Sequence, residues 1–160
     1  LLYLMEQGWT HARIEKLLYK QSGLLGVSGV SADMRRLREE AGKGNEDARR
    51  AIAQFTHRVV RESGALVACL GGLDVLAFSG GIGEHDVALR EQVCTRLAWL
   101  GIHMDWQRNR EADGKEAYAI HAPDSAVELW VIPTDEGRVA AREAAALLQA
   151  GEARGRASLV

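Results

Sequence analysis

The sequence predicts an α/β fold with a parallel or mixed sheet flanked by helices. An apolar strand at 74–78, a glycine-rich turn and an amphipathic helix follow one another, which is the order of a βα unit. A second strand at 127–132 ends at Pro133. Because helices of more than ten residues separate the strands, parallel pairing is favoured. With 160 residues, 47% of them hydrophobic, the chain has the size of one compact domain.

The first half of the chain is predicted to be mainly helical. Residues 1–5 are apolar but too short for a signal peptide or a membrane span, so we interpret them as part of a soluble helix. Helical spacing of apolar residues predicts a helix over 10–20 and a polar helix over 33–40. Between them, 23–31 carries three glycines without a period and is expected to form a loop with unusual dihedrals.

A long helix should begin after Asn45, a capping residue followed by two acids, and end at Gly71. Five residues form its predicted apolar stripe: Ile52, Phe55, Val59, Leu66 and Cys69. The strand at 74–78 that follows is expected to be covered on both faces.

The helix after the glycine-rich turn should bury four leucine or valine side chains: Leu89, Val93, Leu97 and Leu100. Weaker strand signals lie at 102–104 and 117–121. An alanine-rich helix over about 135–149 should close a domain of residues 1–150, and 151–160 is expected to be a frayed tail.

Composition excludes several classes of partner. A net charge of -2, from 20 Lys and Arg against 22 Asp and Glu, gives no field that would attract nucleic acid or acidic lipid. We therefore expect neither partner. The two cysteines, Cys69 and Cys94, form no CxxC pair, which is typical of a reducing, cytoplasmic compartment.

The sharpest motif is Ser79-Gly80-Gly81-Ile82-Gly83-Glu84, between the buried strand and the following helix. Ligands of open α/β sheets bind at the carboxyl ends of strands, where glycines let the backbone approach closely. The spacing is neither a Walker A motif nor a dinucleotide fingerprint. Because Glu84 and Asp86 would repel a phosphate, contact with a nucleoside or its first phosphate is favoured, and a purely structural turn is the alternative.

Two further motifs carry acids at helix starts. Thr134-Asp135-Glu136 follows the second strand, and its acids either favour the helix dipole or organise a hydrated magnesium ion. Asp33-Met34-Arg35 follows a glycine loop; Asp33 is either a helix cap or an acceptor for a ribose or an adenine amine, and Arg35 could stack on a base. Arg36 and Arg38 are interpreted as a solvated helix face.

In this order and spacing, these motifs together with Ser22–Gly29 resemble the acetate kinase family, which includes propionate kinases. The resemblance runs from residue 1 to about 148 and corresponds to the C-terminal part of a family member. It implies an actin-like ATPase fold of the ribonuclease H-like type. It also implies transfer of the γ-phosphoryl group of ATP to a short carboxylate by a cytoplasmic homodimer.

The resemblance also assigns site residues. It places the adenosine pocket at Asp33, Met34 and Arg35, the nucleotide loop at Gly81, Ile82, Gly83 and His85, and the acid associated with Mg²⁺ at Glu136. Two positions depart from the family pattern: His85 stands where an asparagine is usual, and Gly137 where a second acid is often found.

In the family, the phosphate-gripping loop and the catalytic residues lie in the part that would precede Leu1. No catalytic residue is therefore assigned in this chain, and we expect no turnover by these 160 residues alone. The alternative from a different class is a non-enzymatic nucleotide-binding or dimerisation module derived from such a kinase.

Overall fold

A computed structural model describes residues 1–135, 137, 141–142, 144–145 and 147. The first five helices in these ranges are α1 (Leu2–Glu6), α2 (His11–Lys20), α3 (Gly23–Ser28), α4 (Met34–Gly42) and α5 (Glu46–Leu70). The elements that follow are β1 (Val75–Phe78), α6 (Gly80–His85), α7 (Val87–Arg96), a 3-10 helix (Ala98–Leu100), α8 (Trp106–Glu111), β2 (Tyr118–Ala119) and β3 (Glu128–Val131). None of the helices in these ranges combines the length and apolar character that a membrane span requires.

The described strands form a mixed sheet in the order β1-β3-β2. The pairing of β1 with β3 is parallel, with Val75 opposite Glu128 and Phe78 opposite Val131, whereas β2 runs antiparallel to β3. Parallel pairing places the C-terminal ends of β1 and β3 side by side, and the Ile132 N–H donates to the Phe78 carbonyl at 2.8 Å. The loops that leave these two strands therefore start at the same sheet edge.

Long helix α5 forms where the sequence predicts it. The Asn45 side chain accepts a hydrogen bond from the Ala48 N–H at 3.0 Å, and Gly71 ends the helix with φ 75°. The predicted stripe is wrong at its C-terminal end, because Leu66 and Cys69 are exposed. Val67 is buried instead, because the buried face follows the helical period from Ile52 through Thr56 to Val67.

Two hydrophobic clusters surround the sheet and α5. The larger one includes Phe78, Leu89, Val93, Leu97 and Leu129. The smaller one joins α4 to α5 through five buried side chains: Met34, Leu37, Ala48, Ala51 and Ile52. Phe55 and Ile82 pack against both clusters, so α6 is attached to the same core as α4.

The sequence predicts a loop over residues 23–31, and the structure differs from this prediction. Gly23–Ser28 form α3, and Gly29 ends it in the left-handed region with φ 64°. Leu24 and Val27, three residues apart, pack against the cluster between α4 and α5. This burial of one helical face outweighs the low helix propensity of the glycines.

The glycine run after β1 also differs from a simple turn, because Gly80–His85 form the short helix α6. Strand β1 is not covered on both faces: Phe78 is buried, whereas Val75 and Ala77 are exposed. The predicted strand at 102–104 is reduced to one bridge, between Met104 and His121.

The second half of the chain differs from the predicted elements at α8, and its C-terminal end is not fully described. Helix α8 has no counterpart among the predicted elements. The predicted helix over 135–149 and the tail at 151–160 lie largely or wholly outside the described residues.

Candidate functional site

The start of α4 forms one wall of the candidate site. The Asp33 carboxylate caps the helix by accepting from the Arg35 N–H at 2.8 Å, and it pairs with the Arg35 guanidinium, with Nη2 2.8 Å from Oδ2. These contacts lower the pKa of Asp33 to about 2, and the bond from the Arg35 side chain has a larger effect than the bond from its N–H. Asp33 is therefore ionised at neutral pH and holds Arg35 beside it.

Met34 fixes this wall to the core. Its side chain is 5% exposed and packs in the cluster between α4 and α5. The first turn of α4, with Asp33 and Arg35, is therefore mounted on the longest helix of the described chain.

The facing wall is α6. Gly81, Ile82 and His85 line the cavity that separates this helix from α4. Gly83 does not line it: a Cβ at that position would lie 3.1 Å from the carbonyl carbon of Phe78. Gly83 instead permits the close approach of α6 to β1.

Between these walls lies a cavity of about 700 Å³. This volume is within the range of small-molecule sites, about 300–1,000 Å³. Six of the seven residues that the sequence assigns to nucleotide binding line it: Asp33, Met34, Arg35, Gly81, Ile82 and His85. Two segments nearly 50 positions apart in the sequence thus contribute to one cavity.

Arg38 and Asp86 also line this cavity, and sequence reasoning missed the role of Arg38. The Arg38 Nε donates to Asp86 Oδ2 at 3.1 Å, and Nη2 lies 3.1 Å from the same oxygen. Arg36, in contrast, is exposed and pairs with Glu40. The signal for Arg38 is its position one helical turn after Met34, on the same face of α4.

Arg90 is a second missed residue. It is fully buried in α7, and its guanidinium donates to the carbonyls of Gly83 and Glu84 at 2.9 and 2.8 Å. It also donates to the side-chain and main-chain oxygens of Asn109, at 2.6 and 2.8 Å, and to the Ala112 carbonyl at 3.4 Å. Burial lowers the pKa of Arg90. The signal for this residue is its spacing with Val93 and Leu97 on the buried face of α7.

Glu84 connects α6 to the segment after β3. Its Oε1 accepts from the Thr134 N–H at 2.9 Å and from the Thr134 hydroxyl at 2.8 Å. These two bonds, of which the one from the N–H has the larger effect, hold the pKa of the buried Glu84 carboxyl below its ordinary value. Neither Glu84 nor Asp86 is left uncompensated, because Thr134 and Arg38 bind them.

The magnesium assignment falls on Glu136, which lies outside the described residues. Within the described residues, no group of three or more His, Cys, Asp or Glu side chains is arranged to hold a metal ion. A carboxylate oxygen is nevertheless a donor that Mg²⁺ prefers, and Mg²⁺ at nucleotides commonly takes only one or two protein carboxylates. The assignment to Glu136 stays a prediction.

Residues 1–142 match the model of the acetokinase family. The chain is 49% identical over 151 residues to the acetate kinase of Rhodopseudomonas palustris (strain TIE-1) and 45% identical over 143 residues to that of Dictyoglomus turgidum. These alignments cover 94% and 89% of this chain, but 37% and 35% of the relatives. The chain therefore spans little more than a third of the length of the curated relatives it matches.

Solved structures of acetate and propionate kinases also match most of this chain with about a third of their own length. The acetate kinase of Porphyromonas gingivalis superposes with a TM-score of 0.82 at 40% identity, over 92% of this chain and 37% of that one. The propionate kinase of Francisella tularensis gives 0.72 at 37% identity, over 84% of this chain and 34% of that one. The predicted fold class, an actin-like α/β domain with a mixed sheet and flanking helices, is confirmed.

Proposed function

Because this chain belongs to the acetokinase family, we propose that it is the nucleotide-binding, C-terminal part of a kinase that phosphorylates a short-chain carboxylate. The observation that carries the proposal is the cavity, which six of the seven assigned nucleotide residues line. In this proposal, residues 1–150 form the nucleotide-binding domain. The substrate is acetate or propionate, in line with the named activities of the relatives.

The residues of the cavity suit the adenosine end of ATP or ADP. Partly buried Ile82 offers apolar surface to a base, and the paired Asp33 and Arg35 offer an acceptor and a planar cation at the rim. The charged residues of the lining form two pairs, Asp33 with Arg35 and Arg38 with Asp86, so the cavity presents no excess of positive charge to a polyphosphate. This chain then contributes nucleoside binding and orientation.

In the proposed reaction, an oxygen of the carboxylate forms a bond to the γ-phosphorus of ATP. The bond from this phosphorus to the oxygen that bridges it to the β-phosphate breaks, giving an acyl phosphate and ADP. Glu136 would supply a carboxylate to Mg²⁺, which when bound neutralises phosphate charge. We propose that the 160 residues alone do not turn over substrate, because the resemblance to the family assigns no catalytic residue among them.

Two measurements test this function. Calorimetric titration of ADP against the chain should show binding, and Asp33→Ala should weaken it, because the carboxylate that holds Arg35 is lost. Incubation of the full native chain with ATP, Mg²⁺ and acetate should give acetyl phosphate that hydroxylamine traps. Absence of both signals would contradict the proposal.

A second candidate is a nucleotide-binding or dimerisation module without catalysis. Its self-association would use α1, none of whose residues is buried and which exposes Leu2, Tyr3 and Met5 to solvent. We propose that a second copy covers this face in a homodimer. Sedimentation velocity should then show a dimer that Tyr3→Glu converts to a monomer. ADP binding without acyl-phosphate formation by the full native chain would favour the module over the kinase.

The compartment we propose is the cytoplasm, where Cys69 and Cys94 would stay reduced, as both are here.

A further inference from the structure

Glu84 is a buried carboxylate outside the cavity lining. The residue is 7% exposed, while its neighbours on α6, Gly81, Ile82 and His85, face the cavity. Its side-chain hydrogen bonds reach across 50 positions to Thr134, and both donors of Thr134 converge on the single oxygen Oε1. Glu84 is therefore placed to act on the site through the position of α6, without touching a ligand in the cavity.

The surroundings of Glu84 leave little free space beside its side chain. Gly114 lies against it so closely that a Cβ there would be 3.1 Å from the Glu84 Cβ and 2.8 Å from the His85 Cε1. The only basic side chain that the structure places near the carboxylate within the described residues is His85, with Nε2 4.0 Å from Oε2. The charge is thus held mainly by neutral donors, and charge-assisted bonds of this kind are shorter and stronger than neutral ones.

We propose that Glu84 is a positioning residue, whose carboxylate ties α6 to Thr134 at the end of β3 and thereby fixes the cavity wall against which a nucleoside binds. This inference rests on the proposed nucleotide function. Because β1 and β3 are parallel neighbours, the tie joins the two loops that leave the same sheet edge. The wall is then held by two sets of hydrogen bonds, those that the Arg90 guanidinium donates to α6 and those that Thr134 donates to Glu84.

The test compares adenosine with ADP in the full native chain, without divalent metal. Loss of a positioning residue displaces the wall and should weaken both ligands by the same factor, about tenfold for Glu84→Ala, the equivalent of one charge-assisted hydrogen bond. A direct electrostatic effect of the carboxylate would instead change ADP affinity alone, because adenosine carries no charge. Calorimetric titration, well below the Tm of each variant, gives both affinities.

Matched variants separate positioning from general stability. Glu84→Gln keeps an oxygen that can accept from Thr134 and should stay within about threefold of wild type. Thr134→Val should lower the affinity for both ligands, whereas Thr134→Ser, which keeps the hydroxyl, should retain the wild-type affinities. In the double variant, Thr134→Val should lower the affinities little beyond the effect of Glu84→Ala. Glu62→Ala removes an exposed carboxylate on α5 and should have no effect on either affinity.

Unchanged adenosine affinity in folded Glu84→Ala would overturn the inference while leaving the nucleotide function intact. If that variant does not fold, the Thr134→Val and Thr134→Ser pair decides in the same way. A wild-type chain that binds neither ligand would refute the proposed function itself, and the inference with it.

Discussion

Replacing Arg90 by methionine should test whether the buried guanidinium holds α6 in place. Its five hydrogen bonds end on neutral oxygens, among them the carbonyls of Gly83 and Glu84. Methionine keeps an apolar stem of similar length but no donor. The change therefore leaves several buried acceptors without a partner, while the packing of α7 is largely retained.

The magnitude follows from two opposing effects. Each acceptor left buried and unsatisfied costs ~1–3 kcal/mol, while removing the cation recovers part of its desolvation cost, which is also several kcal/mol. Because the acceptors are neutral, no unpaired buried charge remains, and we expect Arg90→Met to destabilise the chain by ~2–4 kcal/mol, the cost of several unsatisfied acceptors less the recovered desolvation. Arg90→Lys keeps the charge but cannot reach both α6 and Asn109 as a planar fork, so we expect a smaller loss.

Urea unfolding of the native chain measures this loss as a change in midpoint at constant m. Arg96→Met is the matched control, because Arg96 lies exposed on the same helix and such substitutions usually stay within ~0.5 kcal/mol. An Arg90→Met variant within ~1 kcal/mol of wild type would refute the reasoning, since it would mean that the carbonyls find other partners.

Two further predictions concern α6. Gly83→Ala should destabilise the chain by ~1–3 kcal/mol, because its Cβ would lie 3.1 Å from the Phe78 backbone. Gly81→Ala is the control, since a Cβ there would meet no atom within 4 Å. Thermal unfolding measures both variants, and equal melting temperatures would contradict the prediction. Because the pKa of Glu84 is lowered on folding, its stabilising contribution is fully present above its ordinary pKa and is lost as pH falls through the folded value. Stability should therefore fall less steeply below pH 4.5 in Glu84→Gln than in wild type, and parallel pH profiles would count against the buried carboxylate.

Local signals in the sequence were sufficient for the scaffold of the site. The side chain that begins α5, Asn45, and the glycine that ends it, Gly71, act through bonds to residues within five positions. Strand β1 and helix α7 follow from an apolar run and a helical period in the same way. The resemblance then assigned six residues that the fold brings to one cavity.

Features that depend on distant partners could not be predicted. Residues 23–28 became a helix because Leu24 and Val27 meet a core built by α4 and α5. Arginine side chains are mostly exposed, and the carbonyls gathered around Arg90 explain its burial. Exposure of Val75 and Leu66 likewise depends on what packs against β1 and α5, which periodicity does not reveal.

The acids beside the glycine run illustrate how tertiary structure changes the chemical meaning of a motif. From the sequence, Glu84 and Asp86 predict repulsion of a phosphate. In the fold, Asp86 is paired with Arg38, and Glu84 turns away to Thr134, so neither presents an unpaired charge to the cavity. A cavity whose lining charges are paired in this way offers no net positive charge that would attract an isolated phosphate. In the proposed function, recognition of adenosine therefore depends on the placement of α6, which Arg90 and Glu84 hold without lining the cavity.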